Sequence, residues 1–217
     1  VLKTWSRSGT LFLLALSLML RPVTCFAQAV DDAATVPDAA AETDATVPDT
    51  EKAEQAASER ALSEQVRKSL VVVRATDRTG DESGFGAGFA VDRPGLIATA
   101  RHVIGDGRDF IVEMPDGKTA KVIEVFASSN QLDLAIIRID NESLPPLPIS
   151  IETITANRRL IALGHPKGRR YQVISGTYSG VYESDGIELL ELAMPIEPGN
   201  SGGPVLTTDG EIVGLVT

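Results

Sequence analysis

The sequence predicts an all-β protein built as two β-barrels. Short β-rich runs recur from residue 69 onward, Gly, Pro and Asp turn residues separate them, and Leu144-Pro145-Pro146-Leu147-Pro148 divides them into six before and five after. Many short strands at such spacing indicate a sandwich or a barrel. One continuous sandwich is the alternative that the strand pattern leaves open. Two antiparallel barrels of six strands, the second truncated at its C-terminal end, account for the Pro-rich division.

The first 29 of the 217 residues have the layout of a secretory signal peptide. Lys3 and Arg7 precede an apolar run over 11–20, and Cys25-Phe26-Ala27-Gln28-Ala29 supplies small residues for cleavage after Ala27 or Ala29. The run is too short for a stable membrane span, which takes about 20 apolar residues. Its apolar residues are contiguous, so a buried helix with a polar face is not the expectation. Cys25 follows Pro22-Val23-Thr24, a poor setting for lipid attachment, and no lipid anchor is expected.

Residues 30–62 read as an acidic linker in which Ala-Thr-Val-Pro-Asp occurs at 34–38 and again at 45–49. Such composition buries too little apolar surface to offset chain entropy. A short helix is expected within 51–68. Residues 31–59 hold nine acids and one Lys, whereas 60–217 hold 21 acids and 16 bases, so much of the net charge of −10 lies outside the folded part. Neither segment has the surplus of Lys and Arg that phosphate binding draws on, which argues against nucleic acid as a partner. A single Cys excludes an intramolecular disulfide and a Cys-rich zinc site.

The folded domain is expected over 63–217, with the first barrel at about 69–145 and the second at about 155–217. First-barrel strands are predicted at 70–75, 88–91, 96–98, 110–114, 119–126 and 134–139. Those of the second are predicted at 159–164, 172–181, 187–192, 203–207 and 212–217. Asp116-Gly117 and Asp209-Gly210 mark two hairpin turns.

Two His residues occur, so a general base built on imidazole is His102 or His165. His102 follows an apolar strand, and His165 sits in the turn Gly164-His165-Pro166. Asp133 heads the apolar run Leu134-Ala135-Ile136-Ile137 and, taken alone, reads as a turn or cap residue. Ser201 lies in Pro198-Gly199-Asn200-Ser201-Gly202-Gly203-Pro204, where glycines permit backbone geometry that a Cβ forbids. A turn of this kind can present successive N–H groups to an anion.

Four motifs in one order give the chain a resemblance to the trypsin/chymotrypsin-type serine peptidases of the bacterial HtrA (Deg) kind, over about residues 64–217. They are Ser83-Gly84-Phe85-Gly86-Ala87-Gly88-Phe89, Thr99-Ala100-Arg101-His102-Val103, Leu132-Asp133-Leu134-Ala135 and Gly199-Asn200-Ser201-Gly202-Gly203-Pro204. The order His, Asp, Ser along the chain is also this family's order. The resemblance implies a trypsin-like two-barrel fold and an exported endopeptidase of the periplasm or cell envelope that acts on unfolded or damaged polypeptides. It makes Ser201 the nucleophile, His102 the general base and then acid, and Asp133 the carboxylate that orients the imidazole. It places the oxyanion hole at the N–H groups of Gly199 and Ser201 and the floor of the specificity pocket at Pro195 and Ile196. With no acid there to attract Lys or Arg, small or aliphatic residues are expected at the cleavage site. No metal and no organic cofactor are implied, and an oligomer is compatible with the sequence.

The same resemblance assigns His165 to a structural turn. Glu197 departs from the Asn usual four residues before the nucleophile, and a carboxylate there disfavours a developing oxyanion unless it points to solvent. Ala193 stands where an Asp is frequent. A second reading therefore accompanies the first, that of a trypsin-like fold of weak or no activity serving as a protein-binding module.

Overall fold

A computed structural model of the chain describes residues 21–24, 49–77, 79, 81–105, 107, 109–184 and 186–217. In chain order the elements are β1 (Arg21–Thr24), α1 (Asp49–Arg67), β2 (Leu70–Thr76), β3 (Glu82–Ala90), β4 (Leu96–Ala100), α2 (Arg101–Ile104), β5 (Asp109–Glu113), β6 (Thr119–Ser129) and β7 (Leu134–Ile139). After the Pro-rich stretch come β8 (Arg159–Gly164), β9 (Gln172–Ser184), β10 (Ile187–Ala193), β11 (Pro204–Thr207) and β12 (Ile212–Val216). Most of the expected signal peptide and the linker up to residue 48 lie outside the described residues.

The first barrel closes in the order β2-β3-β4-β7-β6-β5 with every pairing antiparallel. In the second, β10-β9-β8-β11-β12 form a five-stranded antiparallel curl. The two barrels and the one-strand shortfall of the second follow the sequence expectation, and the single sandwich is set aside. Backbone of β1 lies in the remaining gap, parallel to both β10 and β12, with Val23 opposite Leu190 and Val216. That parallel strand comes from within the segment read as a signal peptide.

Strands β4, β7 and β8 are apolar at nearly every position because both of their faces are covered. One core cluster takes Leu70, Phe89 and Leu134 from the first barrel and Ile161, Leu163 and Leu215 from the second, so the barrels are welded rather than merely linked. The Pro-rich crossover is tied at both ends: Leu147 N–H donates to Ala90 O, and Ile212 N–H donates to Pro148 O.

Helix α1 begins inside the segment read as linker. Its Leu62 and Val66, four residues apart and hence on one face, are buried in that shared core, and the Arg159 guanidinium holds Glu59 at 2.6 and 2.9 Å. The folded part therefore reaches back at least to Glu59.

Candidate active site

Strand β4 delivers the chain to a single helical turn, α2, that carries His102. The turn sits flush on β3: a Cβ on Gly84 would lie 2.0 Å from Val103 O, and one on Gly86 would lie 2.5 Å from the Val103 side chain. The Gly-rich stretch of β3 is thus a steric requirement for the seat of His102 rather than a source of flexibility.

Asp133 grips that turn at three points. Its carbonyl accepts from Arg101 N–H at 2.8 Å, Oδ1 accepts from His102 N–H at 2.8 Å, and Oδ2 lies 2.6 Å from His102 Nδ1. The backbone of Asp133 has φ +47°, a left-handed conformation that Asp tolerates better than most residues. Hydrogen bonding to Asp133 raises the His102 pKa above its ordinary 6.5, with partial burial acting the other way. With the carboxylate on Nδ1, the exposed Nε2 is the nitrogen left to accept a proton.

Ser201 reaches the same place from the second barrel. Its carbonyl accepts from Ala87 N–H of β3 at 2.8 Å, and Gly202 packs against the end of β4, where a Cβ would meet Ala87 O at 2.2 Å and Ala100 N at 2.9 Å. Ala100 is two residues from His102, so the Ser201 loop and the His102 turn share one seam. No hydrogen bond joins the Ser201 hydroxyl to His102 among the described residues. Such bonds are commonly loose before substrate binds.

Gly199 has φ +98°, and neither its N–H nor that of Ser201 has a hydrogen-bond partner among the described residues. Two unengaged donors flanking Asn200 are what an oxyanion hole requires. The Asn200 amide is itself buried, with no protein partner for either end among the described residues.

Glu197 is not a free carboxylate. Lys167 Nζ lies 2.6 Å from its Oε1 and Arg169 3.9 Å from its Oε2, and the bond to Lys167 lowers its pKa below the usual carboxylate value. The neighbouring turn thus supplies two cations that offset the charge of Glu197. Of the two pocket-floor candidates, Ile196 is half-buried against the second-barrel core, while Pro195 is exposed. His165 is fully buried and hydrogen-bonded through both ring nitrogens. The compensating Lys167 and Arg169 were missed from the sequence; their only signal there is the basic run 167–170, some thirty residues from Glu197.

Among the described residues no cluster of three or more His, Cys, Asp or Glu could hold a metal ion, and no helix is long and apolar enough to cross a membrane.

Comparison with known proteins bears on these features. Residues 86–215 match the family model described as a trypsin-like peptidase domain. The chain is 31% identical over 144 residues to a probable periplasmic serine endoprotease, DegP-like, of Pseudomonas fluorescens, covering 64% of this chain and 30% of the relative. A DegP-like relative of Marinomonas sp. is 30% identical over 147 residues, covering 65% and 31% respectively. The chain thus spans about 30% of the length of these curated relatives. Among solved structures it is similar to the serine endoprotease from Yersinia pestis, with a TM-score of 0.64, 30% identity and coverage of 72% of this chain and 56% of that one. The Rv3671c protease, inactive form, shares the fold at TM-score 0.63 and 20% identity, covering 74% and 81%.

Proposed function

Since the chain belongs to the family of trypsin-like peptidase domains, homologous to bacterial DegP/HtrA serine endoproteases, we propose that it is an exported serine endopeptidase in which Ser201, His102 and Asp133 form the catalytic triad. The observation that carries the proposal is the paired contact of Asp133 with His102, set on the seam where the Ser201 loop docks onto β3 and β4.

In this reading His102 Nε2 takes the Ser201 proton as the hydroxyl oxygen attacks the scissile carbonyl, and Asp133 stabilises the imidazolium. The tetrahedral oxyanion is held by the N–H groups of Gly199 and Ser201. Collapse expels the leaving amine with the proton from His102, leaving an acyl-enzyme at Ser201. Water then releases the acid by the same steps, with His102 again the base. Ile196 and the absence of an acid at Pro195 favour small or aliphatic side chains on the acyl side. The leader-like N-terminus and the periplasmic naming of the relatives support export to the periplasm, with unfolded or damaged polypeptides as substrates.

Fluorophosphonate labelling tests the proposal. The chain should label stoichiometrically, Ser201→Ala should not, and a parallel unlabelled sample of the wild type should cut a peptide panel after Ala, Val, Leu or Ile. Cleavage confined to Lys or Arg sites would contradict the pocket assignment. One observation favours the binding-module reading, namely the missing hydrogen bond between Ser201 and His102. An unlabelled wild type that still binds unfolded polypeptide would establish that reading instead.

A further inference from the structure

The turn that follows β8 supports the backbone in front of Ser201 along two hydrogen bonds. Lys167 N–H donates to Pro198 O at 3.1 Å, and His165 N–H donates to Gly199 O at 3.0 Å. The described chain has no cis peptide bond, and in a trans peptide the C=O and N–H point to opposite sides. With Pro198 O drawn toward Lys167, the Gly199 N–H faces away from the turn. The fit is close: a Cβ on Gly199 would lie 2.4 Å from His165 O. The orientation of the first oxyanion donor is therefore set by where residues 165–167 sit.

The imidazole of His165 decides where they sit. Its Nε2 lies 3.1 Å from Val71 O on β2, and its Nδ1 accepts from Tyr171 N–H at 3.2 Å. With an acceptor on one side and a donor on the other, the ring is neutral and carries its proton on Nε2. A carbonyl oxygen has two lone pairs, so Val71 O can accept from His165 although Val71 is paired with Gly88 of β3. The Tyr171 ring closes the site edge-on at 5.1 Å between centroids. Strand β2 belongs to the barrel that supplies His102 and Asp133, whereas Gly199 and Ser201 belong to the other.

We propose that His165 is a positioning residue for peptide hydrolysis: its imidazole latches the 164–168 turn of the second barrel onto β2 of the first, and that turn aims the Gly199 N–H at the oxyanion. The role rests on the assignment of Ser201 as nucleophile. It is distinct from the core-packing role that burial alone would give His165, because it acts through two hydrogen bonds and on stabilisation of the oxyanion.

The test compares wild type with His165→Gln and His165→Asn in hydrolysis of a fluorogenic peptide bearing an aliphatic residue at the cleavage site. kcat is expressed per site titrated with fluorophosphonate, and thermal melting confirms folding. Gln places an amide donor where Nε2 was and can keep the bond to Val71; Asn is too short to do so. Losing a well-aimed oxyanion donor costs about 10²–10³-fold in kcat, and a misaimed one should cost His165→Asn about 10-fold or more with KM within about 2-fold. His165→Gln should recover most of that loss. Equal kcat in all three, equal losses in both variants, or a loss confined to KM would overturn the latch. A wild type as inert as Ser201→Ala would instead overturn the peptidase assignment, and the role of His165 in hydrolysis with it.

Discussion

In the proposed mechanism, protonation of the His102 imidazole would act on the reaction and on part of the stability with opposite signs. His102 must be neutral to act as base, and its pKa is raised by the hydrogen bond to Asp133. Activity is therefore expected to rise with pH through an inflection above 6.5 in kcat/KM. The stabilising contribution of the charged pair runs the other way, present below the ordinary value of 6.5 and lost as pH rises through the folded value. Asp133→Asn should lower kcat roughly 10⁴-fold, the magnitude known for this change in trypsin-type enzymes, because the amide can no longer hold the correct tautomer. A pH–rate profile of wild type and Asp133→Asn with one peptide substrate checks both statements. An inflection at or below 6.5 would mean that Asp133 does not support the imidazolium in solution. Glu197 shows how much a residue's setting depends on elements that its chain neighbours do not reveal. It reads as a charge beside the oxyanion site, yet Lys167 from another turn neutralises it.

Helix α1 demonstrates that a polar segment can end as part of a core. Its sequence is mostly Ala, Glu, Gln, Ser and Arg, and among the described residues only Leu62 and Val66 of the helix enter the shared cluster. Leu62 lies against the β11–β12 hairpin, where a Cβ on Gly210 would come within 2.8 Å of Leu62 Cδ1. Arg67 places its guanidinium 4.5 Å from the centroid of the Tyr171 ring, so the helix also braces the residue whose N–H binds His165. Truncation of a buried Leu to Ala costs about 2–5 kcal/mol; Leu62→Ala, which is 9% exposed, should fall near the lower end. Urea denaturation with an unchanged m-value measures it. A loss under about 0.5 kcal/mol, the size of an ordinary surface substitution, would show that the helix is not docked in solution.

The barrels are bound together by more than the cleft they share. The core cluster runs through both, the Pro-rich crossover is hydrogen-bonded to each, and Glu113 of the first barrel pairs with Arg74 and with Arg170 of the second. Residues in one contiguous core unfold together, so calorimetry should give a single transition whose calorimetric and van't Hoff enthalpies agree. Two resolved transitions would mean that the barrels are independent units. Joint unfolding also suits the proposed triad, whose His102 and Asp133 come from one barrel and Ser201 from the other. Any hinge between them would open the seam.

The strand runs along the chain, the division at Pro145-Pro146, the turn at Asp133 and the loop at Ser201 were legible from local pattern. Alternating and continuous apolar runs report burial, Asp-Gly reports a hairpin, and the Gly-Asn-Ser-Gly-Gly block reports a loop that must touch other backbone closely. That residues 102, 133 and 201 serve one site was an expectation from resemblance alone, since no spacing rule brings them together. Three features needed the folded chain. The pairing of Glu197 with Lys167, the buried bridge from His165 to Val71, and the docking of Leu62 and Val66 are all contacts between elements distant in sequence. Local periodicity records which face of an element is apolar. Which partner that face or charge meets follows from closing the barrels, when burial makes an unpaired polar group costly and selects the arrangement that pairs it.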